Sequence, residues 1–141
     1  NNDVSLYSNT NYMISIIKTS DFNVKLKATI HSSGRLGFTA DTANRLNLSE
    51  QTYIKFAKDD ENDNDLFMIV VADEDEDTFR VVRSGKYYYL PTTTMFQSFG
   101  YDFKKFNFMF DMVRMSDYDE IVNGKVYKLN KRVLMRKAKQ S

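Results

Sequence analysis

The 141-residue sequence contains no cysteine, no tryptophan, one proline, one histidine and five glycines. Without cysteine there can be no disulfide, no thiolate zinc site and no cysteine nucleophile. The single histidine, His31, excludes His-rich metal sites and leaves a Ser-His-Asp triad with one available base. It sits beside a turn with no positioned partner, so it reads as a solvated surface residue. Long apolar runs are missing too. Leu66 to Ala72 is the longest, far short of the roughly 20 residues of a membrane span. No basic-then-apolar leader stands ahead of Asn1-Asn2-Asp3, so no signal peptide is expected and the expected location is cytoplasmic.

What is present is ordinary globular usage, 42% hydrophobic, in a length that suits one domain able to fold without staples. The net charge of +1 conceals a strong pattern. Asp59 to Asp77 holds ten acids and no Lys or Arg, while Lys125 to Lys139 holds seven bases and no acid. These read as solvated loops and a basic C-terminal tail (130–141), or as two blocks serving different partners. Asp59, Glu61, Asp63 and Asp65 alternate like the start of a calcium loop, but Asn64 replaces the required glycine, so a polar strand connection is the better reading. Acids clustered in a loop are a poor general acid/base pair. No catalytic activity, metal, cofactor or small-molecule substrate is therefore expected.

Period-two alternation dominates the chain. Val24 to Ile30 reads as a strand with one wet face, followed by a turn at Ser32-Ser33-Gly34 and a second strand from Leu36 to Phe38. Asp41 to Leu48 has helical spacing, with Thr39 or Asp41 as its cap. Tyr53 to Ala57 and Leu66 to Val71 return to strand, the latter apolar enough to be covered on both faces. The pattern then restarts. Phe79 to Arg83 is a strand, Ser84-Gly85-Lys86 a turn and Tyr87 to Leu90 a strand. Pro91 suits the first position of a helix running from Thr92 to Phe99 and ended by Gly100. Phe106 to Met112 alternates, and Asn123-Gly124 signals a hairpin into Lys125 to Leu129. One further strand is expected near Tyr12 to Lys18. The fold class is α+β, mainly antiparallel β, with two ββαββ units at about 24–72 and 79–130 in a single domain. Units this small must pack on one another.

The stretch Gly34-Arg35-Leu36-Gly37-Phe38-Thr39-Ala40-Asp41-Thr42-Ala43-Asn44-Arg45-Leu46-Asn47-Leu48, with the strand Tyr53 to Phe56 after it, resembles the AbrB, MazE and SpoVT swapped-hairpin family. Gly85-Lys86, Leu90-Pro91 and Phe99-Gly100-Tyr101 repeat the pattern more loosely. The resemblance implies a pseudo-dimer within one chain and duplex DNA as the partner, with Arg35 and Lys86 at the turn positions. The family's strand arginine falls on Ala28, its helix arginines on Ala43 and Asn44, and its proline on Thr39. The order of the middle strands, followed by a helix, is also similar to Whirly-type single-strand binders. Arg80, Arg83 and Lys86 beside Tyr87-Tyr88-Tyr89 have the chemistry such sheets use.

The expected function is a small regulatory nucleic-acid-binding protein, with Arg35, Arg80, Arg83, Lys86, Tyr88, Lys128, Lys131 and Arg132 as candidate contacts. The alternative is a protein-interaction or assembly module, with a protein partner or a second copy, on a scaffold that has lost its DNA contacts. The tyrosine triplet serves either reading, because aromatics also fill half-buried sheets. Phe103, Phe106, Phe108 and Phe110 are expected in the core.

Overall fold

The computed structural model describes residues 14–17, 25–62 and 65–137. Its strands are β1 (Leu26–Ile30), β2 (Leu36–Phe38), β3 (Tyr53–Lys58), β4 (Leu66–Val71), β5 (Phe79–Arg80), β6 (Val82–Ser84), β7 (Tyr87–Leu90), β8 (Phe106–Arg114) and β9 (Lys125–Met135). The short helices are α1 (Ala40–Arg45), α2 (Thr93–Ser98) and α3 (Asp119–Val122), the last preceded by a single 3-10 turn at Ser116–Tyr118. All strand pairs are antiparallel, in the order β5-β3-β4-β9-β8-β1-β2-β7-β6. The two ends of that order, β5 and β6, belong to one stretch of chain. Between them Val81 turns its side chain into the core and donates its N–H to the Thr52 carbonyl at 3.0 Å. The sheet therefore nearly closes on itself as a barrel, the arrangement that leaves fewest exposed strand edges.

Alternation puts one side chain in two inside. Ala28, Ile30, Leu36, Ile54, Met68, Leu90 and Phe110 point inward and are fully buried. Phe96 of α2 enters among them, stacked on Tyr101 and Phe110 at 5.6 and 6.2 Å. The helices share one ending. Asn47 and Gly100 take positive φ (52° and 81°), and the next N–H, of Leu48 or Tyr101, reaches back to Ala43 or Phe96 at 3.0 or 3.1 Å. That is a Schellman closure, which satisfies carbonyls the helix end would leave bare.

Several expectations change on contact with the fold. Thr39 caps α1, its Oγ1 accepting from Thr42 N–H at 3.1 Å. Pro91 stands one residue before the Thr92 cap of α2 rather than inside the helix. The Phe79 to Arg83 strand is broken at Val81. Asn123-Gly124 is not a two-residue hairpin. Asn123, at φ 55°, ends α3, and the 3-10 turn and α3 together bridge β8 to β9. Those ten or so polar and apolar residues lack helical periodicity over more than one turn, which hid them.

The basic tail is the largest correction. Residues 130–135 continue β9, paired with β8 from Phe106↔Met135 through Asp111↔Asn130. Arg136 then locks the end, its guanidinium donating to the Phe103 and Ile30 carbonyls at 2.8 and 3.2 Å. Removing residues 130–141 would delete structure as well as charge. Because β4 pairs β9 only over Lys125 to Leu129, the other edge of β9 from Asn130 to Met135 has no strand beside it among the described residues. Ile14 to Ile17 of the expected N-terminal strand are exposed and not in a strand. The rest of that segment lies outside the described residues, as do Val24, Asp63, Asn64 and Lys139.

Candidate nucleic-acid interface

Leu36 and Phe38 face the core, so the alternating residues Arg35 and Gly37 face outward. Gly37 lies opposite Tyr89 of β7, and the Arg35 guanidinium sits 4.8 Å from the centre of the Tyr89 ring. The His31 imidazole covers Gly37 so closely that a Cβ there would overlap its Nε2 and displace the ring. On β6, and by register on the opposite side of the sheet from Arg35, Arg83 lies 5.9 Å from the centre of the Tyr88 ring, and its Nε donates to the Gly85 carbonyl at 3.0 Å. Gly85 takes φ 60° at the turn, and Lys86 follows it into solvent. Tyr87 is 73% exposed beside them, while Tyr88 packs against the core. Arg80 is exposed on β5, opposite Tyr53. Among the described residues no carboxylate is paired with Arg35, Arg80, Arg83 or Lys86. Cations held over ring faces keep their charge while losing conformational freedom, a pre-organised arrangement for phosphate.

The remaining candidates sit elsewhere. Lys128, Lys131 and Arg132 are on β9, and from β9 to β7 three strand positions intervene either way round the barrel, taking β5 and β6 as one. β9 therefore stands across the molecule from Arg83 and Lys86. Its outward bases are also engaged with acids. Lys128 pairs with Asp65 at 3.5 Å, and Arg132 with Asp111 at 3.1 Å. Lys131 points the other way, over the Tyr101 ring at 4.5 Å. Three further ion pairs are Arg45–Asp41, Lys55–Asp75 and Arg114–Asp119. The Lys55 ammonium holds the Asp75 carboxyl below the usual carboxylate range, and the Arg114 guanidinium does the same to Asp119.

Two of the three positions where the resemblance would put further arginines explain their own departure, while the third, Asn44, is exposed and has no such explanation. Ala28 is fully buried and Ala43 nearly so; both belong to the core. A guanidinium at either would lose its hydration without a partner. Cross-strand partners were not legible beforehand. Counting in twos from Leu36 turns Arg35 outward, but nothing local says that Tyr89 will lie beneath it. The chain matches no family model, no curated protein and no solved structure.

Proposed function

We propose that this chain is a small regulatory nucleic-acid-binding protein without catalytic activity, built from two swapped-hairpin-like units and gripping its partner with the β2–β7–β6 corner of the barrel. The pairing map supports the two-unit reading. Exchange β1 with the β5–β6 stretch, β2 with β7, β3 with β8 and β4 with β9. The pair β1·β2 then becomes β6·β7, β3·β4 becomes β8·β9 and β1·β8 becomes β5·β3, while β2·β7 and β4·β9 map onto themselves. Each unit thus lends a strand to the other, as swapped hairpins do.

One observation carries the binding reading: Arg35 over Tyr89 and Arg83 over Tyr88 flank the β2–β7–β6 corner from its two sides, with Lys86 at the turn, and among the described residues none of the three is paired with an acid. Phosphates would supply the missing counter-charge, and exposed Tyr87 offers a ring to an unpaired base. An electrophoretic shift with duplex and single-stranded 20-mers, at two salt concentrations, tests it. The triple variant Arg35→Gln/Arg83→Gln/Lys86→Gln should flatten the salt slope for duplex by about two to three units. Lys128→Gln/Arg132→Gln should leave it unchanged. If the wild-type chain shifts neither nucleic acid at low salt, the reading fails.

A protein-interaction module is the second reading, carried by the open β9 edge, where Leu134 and Met135 are exposed. Such an edge accepts an added strand. A concentration-dependent rise in mass on sedimentation, abolished by Leu134→Pro, would favour it over nucleic-acid binding.

A further inference from the structure

At one mouth of the barrel, between the ends of β3 and α2 and the middle of β9, lies a half-open cavity of about 420 Å³. Its floor is Leu66 and Phe108, its wall Phe99 and Tyr101, and its two cations Lys58 and Lys131. We propose that this cavity binds the diphosphate group of a small ligand, at a site that includes none of Arg35, Arg83 and Lys86.

The charge distribution points to an anion. Lys58 and Lys131 bring their ammonium groups over the rings of Phe99 and Tyr101, at 4.0 and 4.5 Å from the ring centres. Those rings touch edge-to-face at 5.8 Å, so the two cations hang over adjoining walls of one space. Among the described residues no carboxylate lines it. Of the acids that directly adjoin lining residues in the sequence, two are turned to other work. Asp59, next to Lys58, accepts the N–H groups of Glu61 and Asn62 at 2.8 and 3.2 Å and so closes the loop. Asp65, next to Leu66, pairs with Lys128 on the outside of the sheet. Two like charges therefore share a concave, partly apolar space in a region of the sequence that is otherwise rich in acid, and an anion between them would relieve their repulsion.

The side chains also select among anions. Neither cation is an arginine, so there is no planar fork for a single carboxylate, whereas ammonium groups bind phosphate oxygens as point charges. Two of them suit two phosphoryl groups better than one. The rings offer little to a nucleobase. Tyr101 is stacked on Phe108 at 4.7 Å and capped by Lys131, and Phe99 is capped by Lys58. A compact polyanion fits, and the volume lies within the range of small-molecule sites. Gly100 at the rim has nothing within 4 Å of where a Cβ would be, so the entrance is open on that side. Burial raises the Tyr101 phenol above its ordinary range, which keeps it a neutral hydrogen-bond donor.

Calorimetry and amide NMR on the full chain, with inorganic pyrophosphate and separately with a nucleoside diphosphate near physiological salt, test the site. The expected result is binding with amide shifts concentrated at Lys58, Phe99 to Tyr101 and Lys131. Lys58→Gln and Lys131→Gln should each weaken binding about tenfold, as expected for loss of one charge-assisted contact. Arg83→Gln/Lys86→Gln should leave it intact. Binding of pyrophosphate assigns the free anion, and binding of the nucleoside diphosphate alone assigns the esterified group. The proposal is overturned if neither binds with a dissociation constant of about 10 mM or tighter. It is equally overturned if the Lys58→Gln/Lys131→Gln variant, checked for native amide dispersion, binds as tightly as wild type, or if the Arg83/Lys86 variant loses as much.

Discussion

α1 carries Ala43 into the core at the position where α2 carries Phe96, although both helices close with the same backbone hydrogen bonds. The turns ahead of them differ in the same direction. Gly34 is wrapped by α2: Thr92 Oγ1 donates to its carbonyl and accepts from Leu36 N–H, both at 3.0 Å, and Thr93 Oγ1 donates to the Ser33 carbonyl at 2.8 Å. Gly85 has nothing within 4 Å of a would-be Cβ. The same local signal, Ser-Gly-basic, thus sits once at a buried joint and once at a free tip. α2 and the first turn brace each other at the neighbouring ends of β2 and β7, while the second turn, with Lys86, is left exposed.

Phe96→Ala should be the costliest single change, at about 4 kcal/mol of unfolding free energy by urea titration. A loss below about 2 kcal/mol would mean that α2 is a surface feature. Gly34→Ala comes next, at about 3 kcal/mol, adding a strained φ of +87° to the overlap of its Cβ with Phe103 and Thr93. Gly85→Ala meets only the backbone penalty, about 1 kcal/mol. Equal losses at the two glycines would erase the contrast. Thr92→Val, which leaves the Leu36 N–H unanswered, should cost about 2 kcal/mol. Its counterpart Thr39→Ala should cost about 1 kcal/mol, a simple cap loss.

The smallest effect is electrostatic. Arg114 lowers the folded Asp119 carboxyl below its ordinary value, chiefly by a side-chain hydrogen bond. Such a group stabilises fully above its unfolded value, near pH 4, and stops doing so as pH falls through the lower folded value. The acid limb of stability should therefore be slightly flatter in Asp119→Asn. An unchanged limb would show the pair to be only a surface contact.

Most strands were legible because each has its own period-two face, and Leu66–Val71 and Tyr87–Leu90 fall where alternation and apolar content put them. What escaped was set by distant partners. Val81 breaks its strand because β5 must reach β3 while β6 reaches β7. Residues 130–135 are as basic as a tail, yet they extend because β8 runs the full length beside them. Of the candidate site, Arg35, Arg83 and Lys86 were identifiable as cations near a turn and tyrosines. Tyr89 and the separation of the β9 bases from them depend on strand order, which no short motif encodes.

The interleaving of strands also sets a timetable for the newborn chain. β1·β2 and β3·β4 are local hairpins, but β1 completes its pairing on β8, β2 on β7, β3 on β5 and β4 on β9. As the ribosome releases the chain, the first half can form only separate, half-covered ribbons. Their edges wait for residues synthesised much later. Such distant pairings slow folding and expose apolar strands in the meantime. The acids before and after β4 lie where that waiting ribbon is most sticky, and they would hold neighbouring nascent chains apart until β9 arrives.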